Sequence, residues 1–294
     1  MPTIRVNGVD LAYDQAGAGP TIVFSHAGIA DRRMWERQFH QLAADHRVIR
    51  FDWRGYGQSG DAAGSFAHHE DLLGLLDALD VEQAALVGCS MGGTHSLDVA
   101  LLAPQRVSAL ALVCSGLSGH EWPAAMWDYA RELIHRSVPA DRLEVYRQHR
   151  GEPVREQDVT AMAQAYGRFL IAGPGRDPAE VDPQVWQTAL TMIEGVFQRE
   201  WSGPLSTELV ADPPAVGRLA EVQMPVLVVN GLCDAPWIQD VADILARGIP
   251  GAQRIDISDA GHLPPIERPQ EITAALRQFL AAHDRRLTRE STDP

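Results

Sequence analysis

Lysine is missing from the 294-residue chain altogether: all 25 basic residues are arginine. Schiff-base chemistry, which needs a lysine amine, and the phosphate-loop lysine are both excluded by that absence. Coding preference is the simplest source of the bias, and the chemical consequence holds regardless. Cysteine is scarce. Cys89, Cys114 and Cys233 are odd in number and lack C-x-x-C spacing, so they signal neither a disulfide framework nor a zinc site and read as buried free thiols in a reducing compartment. No apolar run approaches the roughly 18 residues that cross a bilayer. The first 20 residues alternate and carry Asp10 and Asp14 in place of a basic start and a greasy stretch. A cytoplasmic home without a membrane partner is expected. Positive charge is also in deficit: 25 basic against 39 acidic residues leave −14, which repels a polyanion at long range and argues against nucleic acid. The composition leaves the oligomeric state open.

Apolar residues, by contrast, suffice for a large core: 45% of the chain is hydrophobic and 22% charged, the balance of a soluble globular protein. One large domain, or one with an inserted subdomain, is expected. From Ile4 to Leu117 short β-rich runs alternate with helical patterns, the signature of βαβ units. Strands are predicted at Ile4–Val9, Leu11–Gln15, Thr21–Ser25, Arg47–Trp53, Ala84–Cys89 and Ser108–Cys114. The later ones are near-continuously apolar, as in Leu110-Ala111-Leu112-Val113, which suits parallel strands covered on both faces; the first two read as an edge hairpin. Helices are predicted at Met34–Ala43, Phe66–Leu79 and Met91–Ala103, the last stopped by Pro104.

Residues 120 to 217 differ in texture, with 9 of the 19 prolines and no convincing strand. Pro183 to Trp201 places Val185, Trp186, Ala189, Leu190, Ile193, Val196 and Phe197 on one helical face behind an Asp182 N-cap, and Asp177-Pro178 is a similar start. The segment therefore reads as a helical cap inserted between 1–119 and 218–282, which together form the core. The β/α pattern resumes with strands Pro225–Asn230 and Gln253–Ile257 and helices Ile238–Ile249 and Glu271–Ala282, and residues 283–294 read as a polar, frayed tail.

Chemistry concentrates at Gly88-Cys89-Ser90-Met91-Gly92-Gly93, between a buried strand and a helix, the context that makes a G-x-S-x-G match a nucleophile elbow. A serine hydroxyl needs a base, and the base needs a carboxylate to orient it. His262, in Asp259-Ala260-Gly261-His262-Leu263-Pro264, follows the last strand and precedes the last helix, where a loop can set it above the sheet. His68, His69, His135, His149 and His283 fall on helical patterns or the tail and read as solvent-facing; His26, the best rival, reads as shaping the loop after its strand. Asp234, in Asn230-Gly231-Leu232-Cys233-Asp234, lies just past another buried strand. The order Ser90, Asp234, His262 differs from that of chymotrypsin-type enzymes and is the α/β-hydrolase order.

With Phe24-Ser25-His26-Ala27-Gly28, Asp52-Trp53-Arg54-Gly55-Tyr56-Gly57-Gln58-Ser59, the elbow, the Gly231–Asp234 turn and Gly261-His262, the chain resembles the α/β-hydrolase superfamily from Ile4 to Ala282. The resemblance implies an α/β fold: a mostly parallel eight-stranded sheet flanked by helices, with the cap inserted after the sixth strand. Ala27 stands where the family pattern has glycine. An oxyanion hole from the amides of Gly28 and Met91 is implied. Asp31-Arg32-Arg33-Met34-Trp35 followed by Arg47–Asp52 looks like the enol-lactone hydrolase group, within a superfamily that also holds esterases, carbon–carbon hydrolases and cofactor-free perhydrolases.

Gly55-Tyr56-Gly57-Gln58-Ser59-Gly60 also matches the dinucleotide pattern G-x-G-x-x-G, but its third glycine leads into more loop, not a helix. No H-E-x-x-H or comparable ligand spacing appears, so neither metal nor cofactor is expected. Four tryptophans, Trp122, Trp127, Trp186 and Trp201, lie in the cap, and Trp127 and Trp186 are candidate walls of an apolar substrate pocket. The expected activity is cofactor-independent hydrolysis of a carboxylic ester or lactone, a small-molecule substrate, by Ser90, Asp234 and His262. Cleavage of a carbon–carbon bond in a β-diketone-like substrate by the same residues is one alternative, and a small-molecule receptor on this fold is another. Epoxide hydrolase and haloalkane dehalogenase chemistries use aspartate where this chain has Ser90.

Overall fold

A computed structural model describes residues 2–148 and 153–290. Eight strands form one sheet: β1 (Thr3–Val6), β2 (Val9–Ala16), β3 (Thr21–Ser25), β4 (Arg47–Phe51), β5 (Ala84–Cys89), β6 (Val107–Val113), β7 (Val226–Gly231) and β8 (Gln253–Ile257). Their spatial order is β1-β2-β4-β3-β5-β6-β7-β8. β2 runs antiparallel to both β1 and β4, and every other pairing is parallel. From β3 the chain steps outward to β4 on one side and later to β5 on the other. That reversal opens a crevice above the carboxyl ends of β3 and β5, the place where open α/β sheets bind ligands.

Burial follows the two-residue period of the strands. Phe24, Val87, Ala111 and Val229 face one hydrophobic core, and their neighbours Val23, Leu86, Leu110 and Val228 face the other. Helices α1 (Glu36–Leu42) and α10 (Pro269–Glu290) cover the first face; α2 (His68–Ala78) and α3 (Met91–Leu102) cover the second. α8 (Pro236–Gly248) follows β7, and the short α9 (Pro264–Glu267) precedes α10.

Between β6 and β7 the insertion carries α4 (Ala124–Ser137), α5 (Ala140–Arg147), α6 (Glu156–Tyr166) and α7 (Pro183–Ser202). The Asp182 carboxylate caps α7 by accepting from the amides of Gln184 and Val185, as the Asp-Pro start predicts. The Asp177-Pro178 start yields only the single 3₁₀ turn Pro178–Glu180. Cap residues Leu143, Met162, Ile193 and Trp201 join the same hydrophobic cluster as Phe24 and Val87, so cap and core share one apolar interior.

Two features depart from the sequence expectation. Gly64–Phe66 pairs in parallel with Ser206–Glu208, a ribbon between the core and a segment with no predicted strand. All three residues of Ser206–Glu208 are exposed, so only backbone pairing marks it. The last helix runs to Glu290 instead of ending at Ala282, because helices do not need apolar periodicity to continue where no glycine or proline intervenes.

Candidate active site

Ser90 sits between the last residue of β5 and the first of α3 at φ 52° and ψ −116°, a strained conformation for a residue with a side chain. Its amide donates to Val113 O at 3.0 Å, and its carbonyl accepts from Thr94 and Gly116, so neighbouring strand and helix hold the strain in place. The turn is possible only because glycine flanks it. A Cβ on Gly88 would stand 2.3 Å from Gly92 O, and one on Gly92 would stand 2.3 Å from Ser25 O.

The loops after β7 and β8 are stitched together: Cys233 N donates to Ala260 O at 2.8 Å and Leu232 N to Ile257 O at 3.0 Å. They bring Asp234 and His262, both 2% exposed, to Ser90. His262 Nε2 lies 2.8 Å from Ser90 Oγ, and His262 Nδ1 lies 2.7 Å from Asp234 Oδ2. Asp234 Oδ1 accepts from the Ala235 amide at 2.7 Å. With a carboxylate on one side, the imidazole proton belongs on Nδ1, and Nε2 is left to accept from the serine hydroxyl. The histidine amide itself donates to Leu170 O of the cap at 3.2 Å.

Gly28 and Met91 stand side by side at the mouth of this arrangement: a Cβ on Gly28 would be 3.5 Å from Met91 Sδ. Met91 opens α3, where amides have no intrahelical acceptor. Ala27 is accommodated in the position of the family glycine, fully buried with its carbonyl accepting from Ala30 N at 3.0 Å. His26 shapes this loop. Its Nδ1 bonds Ala27 O at 2.8 Å and its Nε2 accepts from the Trp53 amide at 3.0 Å, a pairing only the neutral ring can make. Burial holds its pKa below the ordinary histidine value, consistent with that tautomer.

The Asp52–Ser59 loop is structural. Asp52 takes the Arg32 guanidinium and the amides of Arg32 and Gln58, while Gly55 N closes on Gly60 O at 2.8 Å. The loop turns back on itself and opens no helix, so it is no dinucleotide cradle.

A cavity of about 150 Å³ reaches the site at Gly28, and Ile29, Leu143, Met162, Phe197 and Trp201 are among its other lining residues. A second, of about 360 Å³, adjoins it through Arg147, Val196, Glu200 and Trp201 and reaches Tyr56, Phe66 and His68. Neither Trp127 nor Trp186, expected from sequence as pocket walls, lines either of these two cavities. Trp127 is 51% exposed, and Trp186 packs over Gly167, 2.9 Å from where a Cβ would stand. Trp127 lies seven residues before Ile134 on α4 and Trp186 eleven before Phe197 on α7, so each shares a helix face with a cavity residue but stands two to three turns away from it along the axis. Tyr166, Phe197 and Trp201 are the aromatic rings of the smaller cavity, and the α7 periodicity marks the apolar face that carries the last two.

His68 and His69 are buried, not solvent-facing, because the first turn of α2 packs inward on Trp53, Phe66 and His95. Burial, with His95 close by, drives the His68 pKa down to about 2. His149 lies outside the described residues, and Cys233 is only half-buried. Side-chain sets close enough to share a metal include His68 with His95 and Glu208, and Cys114 with Asp234 and His262. The residue that sequence reasoning missed altogether is Glu267, whose buried carboxylate accepts from the amides of Gly261 and Leu263 on either side of His262.

The model of the alpha/beta hydrolase fold family matches residues 20–269. The chain belongs to this family. This hydrolase is similar in structure to a thermophilic esterase from Thermogutta terrifontis, with TM-score 0.74 and 26% identity over 96% of this chain and 98% of that one. It is likewise similar to the enol-lactonase of Burkholderia xenovorans LB400, with TM-score 0.69 and 26% identity over 95% and 100%. An epoxide hydrolase of Caballeronia sordidicola is 39% identical, but over 113 residues that span 36% of this chain and 34% of that enzyme. Among the described residues no helix is long and apolar enough to cross a membrane.

Proposed function

We propose that the protein is a serine hydrolase that cleaves a carboxylic ester or lactone through an acyl-enzyme. The observation that carries this reading is the hydrogen-bonded line Ser90 Oγ, His262, Asp234 on a strained elbow, at 2.8 and 2.7 Å. Ser90 Oγ attacks the carbonyl carbon as its proton passes to His262 Nε2. Asp234 keeps Nδ1 protonated and balances the imidazolium. The amides of Gly28 and Met91 take the oxyanion, helped by the N-terminal dipole of α3. Collapse of the tetrahedral adduct returns the proton from Nε2 to the leaving alkoxide. Water, deprotonated by the same nitrogen, then releases the acid and restores Ser90.

Support for ester or lactone cleavage comes from the esterase and the enol-lactonase, similar along nearly the whole chain. In the epoxide hydrolase reading the nucleophile would be a carboxylate, and position 90 holds a hydroxyl. The cap at residues 120–217 acts as the specificity domain in this reading. Ile134, Leu143, Met162, Phe197 and Trp201 give the cavity of about 150 Å³ an apolar wall suited to a small acyl or ring portion, while Arg147, Glu200 and Tyr166 supply polar groups at its edge.

The test is a substrate panel of acyl esters of rising length, lactones and ring-fission diketones, run on the parent protein and on Ser90→Ala. Turnover of esters or lactones, lowered at least about 10⁴-fold in Ser90→Ala, is expected. Diketone cleavage with no ester or lactone turnover would move the assignment to carbon–carbon hydrolysis, and no turnover across the panel would overturn it.

A further inference from the structure

The loop Ala260-Gly261-His262-Leu263 is anchored in the hydrophobic core at its two ends, by Ala260 and Leu263, and has to hold the imidazole between them to within a few tenths of an ångström. The two peptide groups that flank His262 are both tied to one side chain: Gly261 N donates to Glu267 Oε2 at 2.8 Å and Leu263 N to Glu267 Oε1 at 3.1 Å. Fixing both flanking peptides leaves the histidine backbone little freedom. The carboxylate is 3% exposed, and its partner is Arg176, whose Nη2 lies 3.0 Å away. Burial raises the Glu267 pKa, against the pull of the amides and of Arg176, so its charged form depends on that arginine.

Arg176 belongs to the cap. Its other donors reach Ala172 O at 3.1 Å, Ile171 O at 2.6 Å and Asp259 O at 3.2 Å. Leu170, Ile171 and Ala172 are the last residues of a π-helical turn, Gly167–Ala172, that continues α6. The final carbonyls of a helix have no partner within it and carry its negative end, so they call for outside donors and favour a cation. Here those donors are the amide of His262, bonded to Leu170 O, and the guanidinium of Arg176. The turn stops at Gly173, φ 73°, where a Cβ would stand 2.0 Å from Cys233 O. One turn of the cap thus abuts both the loop that carries His262 and the loop that carries Asp234.

We propose that Glu267 and Arg176 are a positioning pair that locks the His262 loop to this π-helical turn, so that the seating of the cap sets the alignment of the imidazole between Asp234 and Ser90. The proposal rests on the reading of Ser90, Asp234 and His262 as the catalytic set. Neither member of the pair touches substrate. Their effect passes through the histidine backbone, and a cap displaced by about 1 Å would be felt as lost alignment at Nε2, at a cost of order 10²-fold in rate. A pair that merely satisfied buried donors would affect stability and leave each folded molecule fully active.

The test compares full-length Glu267→Gln, Arg176→Met and Arg176→Lys with the parent. In glutamine one oxygen becomes an NH₂ donor, so one of the two flanking amides loses its acceptor. Turnover of an activated ester is divided by the number of Ser90 sites labelled to completion by a fluorophosphonate, which removes misfolded protein from the count. Expected is a 10- to 100-fold fall in kcat per labelled site for Glu267→Gln and Arg176→Met, with KM changed less than threefold. Arg176→Lys should fall between them and the parent, since lysine keeps the charge but cannot span the carbonyls. The downfield proton resonance of the His262–Asp234 hydrogen bond should broaden or vanish in step. Unchanged kcat per labelled site with only a lowered melting temperature would overturn the proposal. Should Glu267→Gln fail to fold, Arg176→Met at its partly exposed position decides alone. If Ser90→Ala kept its turnover, the catalytic reading itself would fail; a dead Ser90→Ala beside fully active pair variants would sink only the positioning claim.

Discussion

Asp234→Asn preserves shape and removes one acceptor, and the consequence follows from two hydrogen bonds. The carboxylate accepts from the Ala235 amide through Oδ1 and faces His262 Nδ1 through Oδ2, each at 2.7 Å. Asparagine has one oxygen to share. The Ala235 N–H can only donate, so the amide oxygen goes there and the NH₂ group turns to Nδ1. A donor at that place demands a lone pair on Nδ1, which moves the ring proton to Nε2 and leaves nothing to accept the Ser90 proton. Reversing the amide restores the tautomer but sets a buried N–H against NH₂, a penalty of about 1–3 kcal/mol. Turnover should therefore fall by roughly 10²- to 10⁴-fold, the upper figure being about 5.5 kcal/mol of barrier at 1.36 kcal/mol per decade. No cavity opens, so the melting temperature should move little. Steady-state turnover of an activated ester between pH 6 and 9, alongside a thermal melt, measures both. Turnover within threefold of the parent in a folded variant would refute the argument, and an equal loss in Asp259→Asn with none in Asp234→Asn would transfer the role to Asp259, which is exposed.

Trp201→Ala, which removes a ring stacked on Tyr146 at 4.7 Å and shared by both cavities, should change discrimination between short and long acyl groups by about 1–3 kcal/mol. An unchanged ranking of kcat/KM across an ester series would show that this ring is no pocket wall. Gly88→Ala forces a Cβ to within 2.3 Å of the Gly92 carbonyl, so both stability and turnover should drop; a parent-like melt and rate would contradict the elbow packing. Acid should destabilise the fold through His26 and His68, held below the ordinary 6.5 by burial, the latter to about 2. Their unfolded forms take up protons as pH falls through 6.5 while the folded forms do not, so stability is intact above that pH and declines below it. The slope is up to about 1.4 kcal/mol per pH unit for each ring. For His95 burial lowers the pKa but Asp98 and Glu208 outweigh it, so below pH 6.5 it is protonated in both states and adds no slope. Denaturant midpoints from pH 6.5 to 5 should fall less steeply in His68→Leu, and identical slopes would count against the buried neutral ring.

Local signals in the chain carried the sheet and the elbow. Ala84–Cys89 and Val107–Val113 are apolar at nearly every position because both faces are covered, and Gly88, Ser90 and Gly92 mark a turn that no other residue spacing permits. Asp234 and His262 were legible for a related reason: each follows a strand of the parallel sheet, buried before Asp234 and at the sheet edge before His262, where a loop must rise above the carboxyl edge. What stayed hidden depends on contacts between distant segments. Glu267 looks like a surface residue of a short helix until Arg176, 91 positions earlier, reaches it. The ribbon of Gly64–Phe66 with Ser206–Glu208 is three residues long and its second strand is exposed throughout, so no apolar alternation marks it. Trp127 and Trp186 show that helical periodicity separates inward from outward faces but does not tell cap core from substrate wall.

The claim on which everything else depends is that the Ser90 hydroxyl, activated by His262, is the nucleophile. Incubation with a fluorophosphonate followed by peptide mass spectrometry tests it most directly. The account predicts a single adduct on Ser90, formed in step with loss of ester turnover, slowed strongly in His262→Ala and absent in Ser90→Ala. An adduct on another residue, or full inhibition with Ser90 unmodified, would contradict it.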